Sequence, residues 1–292
     1  MAGTNRARTL MSYEVLHKLF PERRQGVREN ELFIFAGPCV VENESVTFRI
    51  AEELAHIRQA CDIDIVFKAS FVKANRTSRD SFTGLALDQA LSILQAVKTR
   101  FGLKILSDVH EYTNLDEIAD VVDVLQTPAF LVRQTEFLRR VAAAGKPINI
   151  KKGQFLSPTE MISAVDKILS FGNSDLLVCE RGSSFGYNYL VNDFRGMQQL
   201  MQRAQPLVFD ATHSVQRPGA LGDSSGGDAK YAPGLAKAAV AAGVDGIFME
   251  THPDPAAALS DGPNMIPLAL VKRLLGELKE LHQVVKGQSA YL

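Results

Sequence analysis

The sequence predicts an α/β fold, because short apolar runs alternate with helical patterns along the chain. The runs are near-continuously apolar, which is typical of parallel strands buried on both faces. They cover residues 32–37, 64–70, 103–109, 121–128, 148–153, 175–182, 206–212 and 245–251. Helical patterns occupy 45–60, 85–101, 112–120, 135–144, 158–171, 193–204, 231–243 and 267–285. This alternation predicts a (β/α)8 TIM barrel with a short N-terminal extension, and a doubly wound open sheet is the alternative.

The connecting segments predict which end of the barrel carries the chemistry. Segments that lead into strands are short, such as FGLK before the third strand and AGVD before the eighth. Several segments that leave strands are long and polar, at 72–84, 182–192, 213–230 and 252–266. Barrel enzymes keep their active sites at the carboxyl ends of the strands. We therefore expect the functional residues at the ends of the strands and just beyond them.

Two segments have less certain roles. Residues 1–30 form an extension to a catalytic barrel at 31–292. The extension is either an amphipathic helix that closes the other end of the barrel or a partly ordered tail, and the sequence leaves both open. The glycine-rich stretch DSSGGDAK, residues 223–230, follows the seventh strand. It predicts a mobile lid or a turn, not a nucleotide cradle.

Composition limits the classes of partner. The 292 residues include 32 Lys and Arg against 33 Asp and Glu, and the net charge of −1 suggests neither nucleic acid nor an anionic membrane as partner. The three cysteines are too few and too scattered for a disulfide framework, so a reducing, cytoplasmic location is expected. The first residues lack the apolar core of a signal peptide, and no run approaches the ~20 apolar residues of a membrane helix.

Basic residues lie at strand ends, where apolar residues are expected. An unpaired buried ammonium is strongly destabilising, so each is either functional or paired with a carboxylate such as Asp108, Glu180 or Asp210. Gathered in one cleft of a nearly neutral protein, the basic residues predict a multiply anionic small-molecule ligand. Neighbours on a strand point to opposite faces, so only one of the fifth strand's two lysines can point inward, and the pattern does not say which. The basic residues are Lys68, Lys73, Arg76, Lys151, Lys152 and Arg181.

Residue types that bind metals also lie near strand ends. Cys39 follows the first strand, His213 follows the seventh, Glu250 ends the eighth and Asp261 lies in the loop beyond. In a closed barrel the eighth strand returns beside the first, so these residues would converge. A thiolate, an imidazole and two carboxylates suit Zn²⁺, Fe²⁺ or Mn²⁺ better than Mg²⁺. Spacing alone favours the simpler interpretation that Cys39 is a small apolar core residue.

The remaining cysteines and two histidines receive simpler interpretations. Cys61 and Cys179 are expected to be core residues. His110 and His252 lie near strand ends and are expected behind the ligands or at the surface.

Seven motifs between residues 33 and 264 narrow the function: GPCVVEN, FKASFVKANRTS, LQTPAFLVRQT, NIKKGQFLSP, CERGSSFGYN, DATHSVQRPG and METHPDPAAALSDGPN. In content and order they resemble the 3-deoxy-D-manno-octulosonate 8-phosphate synthase family. The resemblance implies a cytoplasmic barrel homotetramer that condenses phosphoenolpyruvate with D-arabinose 5-phosphate and water. The products would be the octulosonate 8-phosphate, for lipopolysaccharide biosynthesis in Gram-negative bacteria, and inorganic phosphate.

Two alternatives remain beside this resemblance. The similar 3-deoxyheptulosonate 7-phosphate synthases use the same donor with erythrose 4-phosphate. They carry a Lys-Pro-Arg motif where this chain has KANRTS, which favours the longer aldose. The other alternative is a barrel that binds phosphosugars without turning them over.

The resemblance also implies roles for individual residues. It favours Lys151 over Lys152 as the inward lysine, and it places Asp108 in the same site. Thr77 stands where a serine is commoner, so the hydroxyl is kept. Phosphoenolpyruvate would be held by Lys73, Lys151 and Arg181, with Lys68 and Gln126 nearby. The arabinose 5-phosphate side would be bound by Asn75, Arg76 and Thr77. A neighbouring subunit's site would be reached by Phe130 and Arg133.

The family contains two classes that differ at one position. One class has asparagine at the position of Cys39 and needs no metal, whereas the other has cysteine and depends on a divalent ion. The four residues at the matching positions imply the metal-dependent class, although the Gly-Pro portion of SDGPN resembles the metal-independent one. The implied metal ligands are Cys39, His213, Glu250 and Asp261. The implied catalytic residues are His213, Lys151 and Asp108.

Overall fold

The strands of this chain form a closed parallel barrel. The computed structural model describes residues 14–22, 31–74, 82–184, 189–217 and 226–287. The barrel strands are β1 Phe33–Gly37, β2 Asp64–Lys68, β3 Lys104–Asp108, β4 Val124–Thr127, β5 Ile148–Lys151, β6 Leu176–Glu180, β7 Leu207–Asp210 and β8 Gly246–His252. Each strand pairs with the next along the chain, and β8 pairs with β1. The predicted barrel is confirmed, and the open-sheet alternative is wrong.

Helices follow the strands and cover the outside of the barrel. They are α1 Glu44–Cys61, α2 Leu87–Phe101, α3 Leu115–Val121, α4 Thr135–Ala143, α5 Pro158–Ser170, α6 Phe194–Met201, α7 Ala232–Ala241 and α8 Leu268–Gly287. Local sequence explains several starts. The Asn43 side chain accepts from the Val46 amide before α1, and Ser157 with Glu160 forms a capping box before α5.

Short strand pairs lie in the loops at the carboxyl ends of the barrel strands. Ser183–Ser184 pairs with Leu190–Val191, and Gln216–Arg217 pairs with Gly226–Gly227. Ile266–Pro267 extends the sheet beside the end of β8. The second pair lies at the base of the loop predicted as a lid or turn, of which residues 218–225 lie outside the described residues.

Several boundaries differ from those expected. The run at 121–128 contains the end of α3, because the Val122 amide still bonds to the Ile118 carbonyl at 2.8 Å. The following Asp123 amide bonds to Ile105, and β4 begins one residue later. Apolar character alone does not separate a helix end from the strand that follows it, since both are buried.

The barrel interior has an apolar layer below a polar one. The apolar layer lies toward the amino ends of the strands and comprises Phe33, Phe35, Val66, Leu106, Val124, Leu177, Cys179, Val208 and Phe248. The polar layer lies toward the carboxyl ends and comprises Lys68, Asp108, Gln126, Asn149, Lys151, Asp210 and Glu250, together with Arg181 just beyond β6, all of which are buried. Cys179 is therefore a core residue as expected, and burial raises the pKa of its thiol. Cys61 is half-buried at the end of α1.

A short N-terminal helix covers the apolar end of the barrel. Residues 14–19 are helical, and Val15, Leu16, Leu19 and Phe20 join the apolar layer. The Phe20 and Phe33 rings lie 5.8 Å apart between centroids. The 14–19 segment thus adopts the first of the two arrangements left open for the extension. The division of the chain at residue 30 stays a prediction, and no helix among the described residues is long and apolar enough to cross a membrane.

Leu19→Ala should lower the free energy of unfolding by about 2–5 kcal/mol, because the side chain is 2% exposed and its loss leaves a cavity beneath the barrel. Urea titrations at matched protein concentration measure the change. Lys18→Ala is the control: its side chain is 53% exposed, and its ion pair with Asp175 should contribute less than about 1 kcal/mol. Equal effects of the two substitutions would show that the helix does not pack on the barrel.

Candidate active site

Barrel closure brings distant chemical groups together. The β1–β8 register sets Gly37 opposite Glu250, and Cys39 follows two residues later. A Cβ at Gly37 would lie 2.1 Å from the Lys68 carbonyl oxygen, so only glycine allows β2 this close. Ligand atoms of Cys39, Glu250 and Asp261 all lie within 4.8 Å of one another. Three of the four predicted metal ligands therefore form one cluster.

His213, the fourth predicted ligand, lies beside this cluster. Its Nε2 is 3.7 Å from Glu250 Oε1, and its Nδ1 is 2.9 Å from Asp210 Oδ2. A neutral imidazole that donates from Nδ1 to this carboxylate keeps the lone pair of Nε2 on the side of Glu250. The histidine is thereby oriented as a ligand or as a proton acceptor.

The residues of the cluster fit a divalent metal ion. Glu250 Oε1 accepts from Lys68 Nζ, but the buried Oε2 has no hydrogen-bond partner among the described residues. An unpartnered buried carboxylate oxygen is unfavourable, and a cation would satisfy it. A thiol, carboxylates and an imidazole form a donor set suited to a borderline divalent ion. Asp261 has φ of 53°, a left-handed conformation that Asp adopts more readily than most residues.

The protonation of the cluster follows from its surroundings. Burial raises the pKa of Cys39 well above its usual range, and the charges of Asp261 and Glu250 raise it further. Its Sγ lies 3.0 Å from Asp261 Oδ2 and 3.2 Å from Ser260 Oγ. Burial alone would raise the pKa of Asp261, but Lys73, His213 and the thiol hydrogen bond lower it. The thiol is therefore a donor to an ionised carboxylate, and a metal ion would displace its proton.

Lys151, the last residue of β5, and Lys152, the next residue, point in different directions. Lys151 Nζ donates to Asp210 Oδ2 at 2.7 Å and lies 3.8 Å from the Phe248 ring centroid inside the barrel. Lys152 Nζ lies 3.4 Å from Glu180 Oε1 and donates to Ser183 Oγ at 3.1 Å. Lys151 is thus the inward lysine. Burial works to lower its pKa, but Asp210 and the other acidic groups raise it above its usual value.

Arg181 lies just beyond β6 and is only 5% exposed. Its Nη2 donates to the His213 carbonyl at 3.1 Å and to Gln216 Oε1 at 3.0 Å. Its buried Nε has no hydrogen-bond partner among the described residues. Burial lowers the pKa of this guanidinium, although arginine remains charged in proteins. An anionic ligand would complete its hydrogen bonds.

Lys68 and Lys73 add positive charge on the β2 side. Lys68 Nζ contacts Glu250 and donates to the Cys39 carbonyl at 2.8 Å. Burial works to lower the pKa of Lys73, but the acidic groups of Cys39, Glu250 and Asp108 raise it well above its usual range. Both lysines therefore belong to the same site as the cluster. The predicted residues Asn75, Arg76 and Thr77 lie outside the described residues.

A chain of hydrogen bonds crosses the floor of the site. Ser70 Oγ donates to Asp108 Oδ2 at 2.5 Å, and Gln126 Nε2 donates to Asp108 Oδ1 at 2.8 Å. Asn149 Nδ2 donates to Gln126 Oε1 at 2.8 Å. Burial alone would raise the pKa of Asp108, but Lys68 and the other nearby lysines lower it. Asp108 is thus held ionised and in a fixed orientation.

Other predicted residues lie at the rim or behind the site. Phe130, in the turn Ala129–Leu131 after β4, is 57% exposed, and Arg133 is also exposed. His110 packs edge-on against Phe71, with ring centroids 6.3 Å apart. His252 is buried, and its Nε2 lies 3.6 Å from Glu42 Oε2.

Sequence patterns did not assign several residues of the site. Asp210 was expected only as a possible partner of a lysine, yet it contacts both Lys151 and His213. Gln216 and Ser260 were not predicted, because single polar residues in loops carry no periodic signal. Asn149 could have been found, since it lies two residues before Lys151 and shares its face of the strand.

Comparison with known proteins supports the resemblance. The DAHP synthetase I family matches residues 22–287. The chain is similar to curated proteins called 2-dehydro-3-deoxyphosphooctonate aldolase. The protein from Xylella fastidiosa (strain M12) is 57% identical over 255 residues, 87% of this chain and 92% of the relative. That of Coxiella burnetii (strain Dugway 5J108-111) is 57% identical over 258 residues, covering 88% and 92%. That of Xanthomonas campestris pv. campestris (strain B100) is 55% identical over 258 residues, covering 88% and 94%.

Asp108→Asn should make the fold less sensitive to acid. Because the folded-state pKa of Asp108 is lowered, its stabilising contribution is present above the unfolded-state pKa of about 3.9 and is lost as pH falls below it. The variant should have a lower Tm near neutral pH, and its Tm should fall less steeply between about pH 5 and 3. Thermal melts across this range test the expectation. Asp120→Asn, an exposed control on α3, should show the same change of Tm with pH as the wild type. If Asp108→Asn shows that same change, Asp108 does not have a lowered pKa in the folded state.

Proposed function

The chain belongs to the 2-dehydro-3-deoxyphosphooctonate aldolase family, and on this premise we propose that it condenses phosphoenolpyruvate with D-arabinose 5-phosphate and water. The products are 3-deoxy-D-manno-octulosonate 8-phosphate, which serves lipopolysaccharide biosynthesis, and inorganic phosphate. One observation carries the proposal: a buried donor of Arg181 and a buried acceptor of Glu250 lack partners among the described residues of one polar layer. The first suits an anionic substrate and the second suits a metal ion.

The basic residues of the site bind the phosphoenolpyruvate. This substrate carries a phosphate and a carboxylate, so it matches the cluster of Lys73, Lys151 and Arg181. Lys68 and Gln126 lie nearby. The segment with Asn75, Arg76 and Thr77 is proposed to bind the arabinose 5-phosphate. The positive charges offset the repulsion between two anionic substrates and allow them to approach.

The reaction forms one carbon–carbon bond and breaks one carbon–oxygen bond. C3 of phosphoenolpyruvate attacks the aldehyde carbon, and the aldehyde oxygen takes a proton. The oxygen of water bonds to C2 and loses a proton, which gives a hemiketal phosphate. Its collapse breaks the bond between C2 and the phosphate oxygen, leaves a ketone and releases inorganic phosphate. The protons balance, since water supplies the one that the new hydroxyl gains and the hemiketal hydroxyl gives up its own to the leaving phosphate.

Three residues are proposed to assist these steps. His213 acts through Nε2, either as a ligand of the metal ion or as a proton acceptor, with Asp210 fixing the tautomer through Nδ1. Lys151, whose Nζ lies over the Phe248 ring, binds the donor substrate. Asp108, kept ionised by the nearby lysines, accepts a hydrogen bond from Gln126 and so orients this side chain at the floor of the site.

A divalent ion held by Cys39, Glu250, Asp261 and His213 would act as a Lewis acid that orients the aldehyde. Orientation is favoured over generation of hydroxide, because the family resemblance implies a sister class that works with asparagine in place of Cys39. The donor set suits Zn²⁺, Fe²⁺ or Mn²⁺.

We also propose a cytoplasmic homotetramer in which Phe130 and Arg133 contribute to a neighbouring subunit's site. The exposure of both side chains at the carboxyl-terminal face of the barrel supports this proposal. The alternative of a 3-deoxyheptulosonate 7-phosphate synthase, which uses erythrose 4-phosphate, is not favoured, because the curated relatives are named for the octonate product.

The function is tested by phosphate release from phosphoenolpyruvate with each aldose in turn. We expect turnover with D-arabinose 5-phosphate and much less with erythrose 4-phosphate. The assay is run after chelation and after add-back of Zn²⁺, Fe²⁺ and Mn²⁺ separately. Activity with erythrose 4-phosphate alone would refute the choice of substrate, and binding of both substrates without turnover would favour a binding protein.

Cys39→Asn should abolish tight metal binding while leaving part of the activity, which should be less sensitive to chelators than that of the wild type. Asparagine keeps a polar side chain beside Asp261 but removes the thiolate ligand. Metal content after dialysis and activity with and without chelator are the two measurements. Cys61→Ser, at a half-buried thiol on α1, is the matched control and should retain the metal. Stoichiometric metal in the Cys39→Asn protein would exclude Cys39 as a ligand.

A further inference from the structure

We propose that Gln216 is a positioning residue that holds the substrate-binding Arg181 and the metal-binding Asp261 in register through the two ends of one amide. Gln216 Oε1 accepts from Arg181 Nη2 at 3.0 Å. Gln216 Nε2 donates to Asp261 Oδ1 at 3.2 Å. The inference deepens the proposed function and rests on the roles given there to Arg181 and Asp261.

The chemistry of the two neighbours fixes which way the amide points. A guanidinium has only donors and an ionised carboxylate has only acceptors, so the amide oxygen must face Arg181 and the amide nitrogen must face Asp261. Glutamate at this position could not donate, and lysine could not accept. Among side chains of this length, an amide alone satisfies both partners at once.

Each partner has a second contact that leads into the site. The other carboxylate oxygen of Asp261 lies 3.0 Å from the Cys39 thiol, inside the metal cluster. Arg181 also donates to the His213 carbonyl, which begins the turn leading to Gln216. Gln216 therefore joins the cation that binds the anionic substrate to the carboxylate that binds the metal.

The backbone of Gln216 is itself held in place. It pairs with Gly227 across the short antiparallel strand pair after β7. A Cβ at Gly227 would lie 1.6 Å from Asn264 Oδ1, so this strand pair packs tightly on the turn Gly262–Asn264 that follows Asp261. The loops after β6, β7 and β8 thus meet at one side chain.

Fixing Asp261 matters because of its backbone. Its left-handed φ of 53° is uncommon for a residue other than glycine, even though Asp adopts it more readily than most, so contacts of the side chain help to hold it. Without the Gln216 amide, Oδ1 of Asp261 loses a donor, and Arg181 loses one of its two acceptors. Gln216→Leu should therefore weaken the binding of phosphoenolpyruvate and of metal by about 10-fold each, as expected for a lost hydrogen bond to a charged group.

The two effects are measured separately and without turnover. Phosphoenolpyruvate affinity is measured by calorimetry on chelator-treated protein, and Co²⁺ affinity is measured by the thiolate-to-cobalt absorption band in the absence of substrate. Gln198→Leu is the control, because its amide bonds to the Ala242 carbonyl on the outside of the barrel. Gln216→Met, which keeps the length and removes the amide, replaces the leucine variant if that protein does not fold.

A double-mutant cycle separates positioning from a general loss of structure. Adding Gln216→Leu to an Arg181→Ala protein should not weaken phosphoenolpyruvate binding further but should still weaken Co²⁺ binding. An equal loss of phosphoenolpyruvate affinity on adding Gln216→Leu with and without Arg181, or unchanged affinities for both ligands in the single variant, would overturn the inference. A wild-type protein that binds Co²⁺ through Cys39 but releases no phosphate would instead overturn the proposed function, and the Co²⁺ comparison would still test Gln216.

Discussion

The pairing of β8 with β1 is the constraint on which the site depends. Closing the sheet at this seam sets Glu250 beside Gly37 and leaves Cys39 two residues above it. The glycine is needed there because any side chain would meet the Lys68 backbone. Once β2 is allowed this close, the Lys68 ammonium reaches both Glu250 and the Cys39 carbonyl. The cluster of Cys39, Glu250 and Asp261 and the ammonium that contacts it are therefore consequences of how the barrel closes.

The polar layer is stable because most of its charges are paired, and it can bind ligands because the pairing is incomplete. Removing a charge from water is strongly unfavourable unless a partner and further hydrogen bonds compensate. Lys151 has Asp210, and Lys68 has Glu250. One nitrogen of Arg181 and one oxygen of Glu250 are left without partners among the described residues. The apolar layer beneath keeps the local dielectric low, which strengthens the attraction of a ligand to these groups.

The sequence predicted the architecture well because strand order in a barrel repeats one simple rule. In a closed barrel each strand pairs with the next and the eighth pairs with the first. This rule predicted that Cys39, Glu250 and Asp261 would converge, and it does not depend on the exact residue at which a strand ends. The choice between Lys151 and Lys152 was left open, because all four residues of β5 are buried, and burial alone does not separate the face toward the barrel interior from the face toward the helices. Gln216 could not be predicted at all. Its importance depends on loop geometry and on which atoms of Arg181 and Asp261 face each other, and neither follows from composition or spacing.

The thiol of Cys39 also explains how one arrangement could serve with or without a metal. Before any ion binds, the S–H group donates to the ionised Asp261, and burial keeps the thiol protonated. An ion that takes the sulfur as a ligand releases that proton and replaces the hydrogen bond by shared coordination. Asparagine at the same position has an amide N–H that can donate to the same carboxylate, but it offers no thiolate to a metal. Asp261 would thus keep a hydrogen-bond donor with either residue at position 39, and under the proposed function the two residues would differ in whether they can exchange a proton for a metal ion.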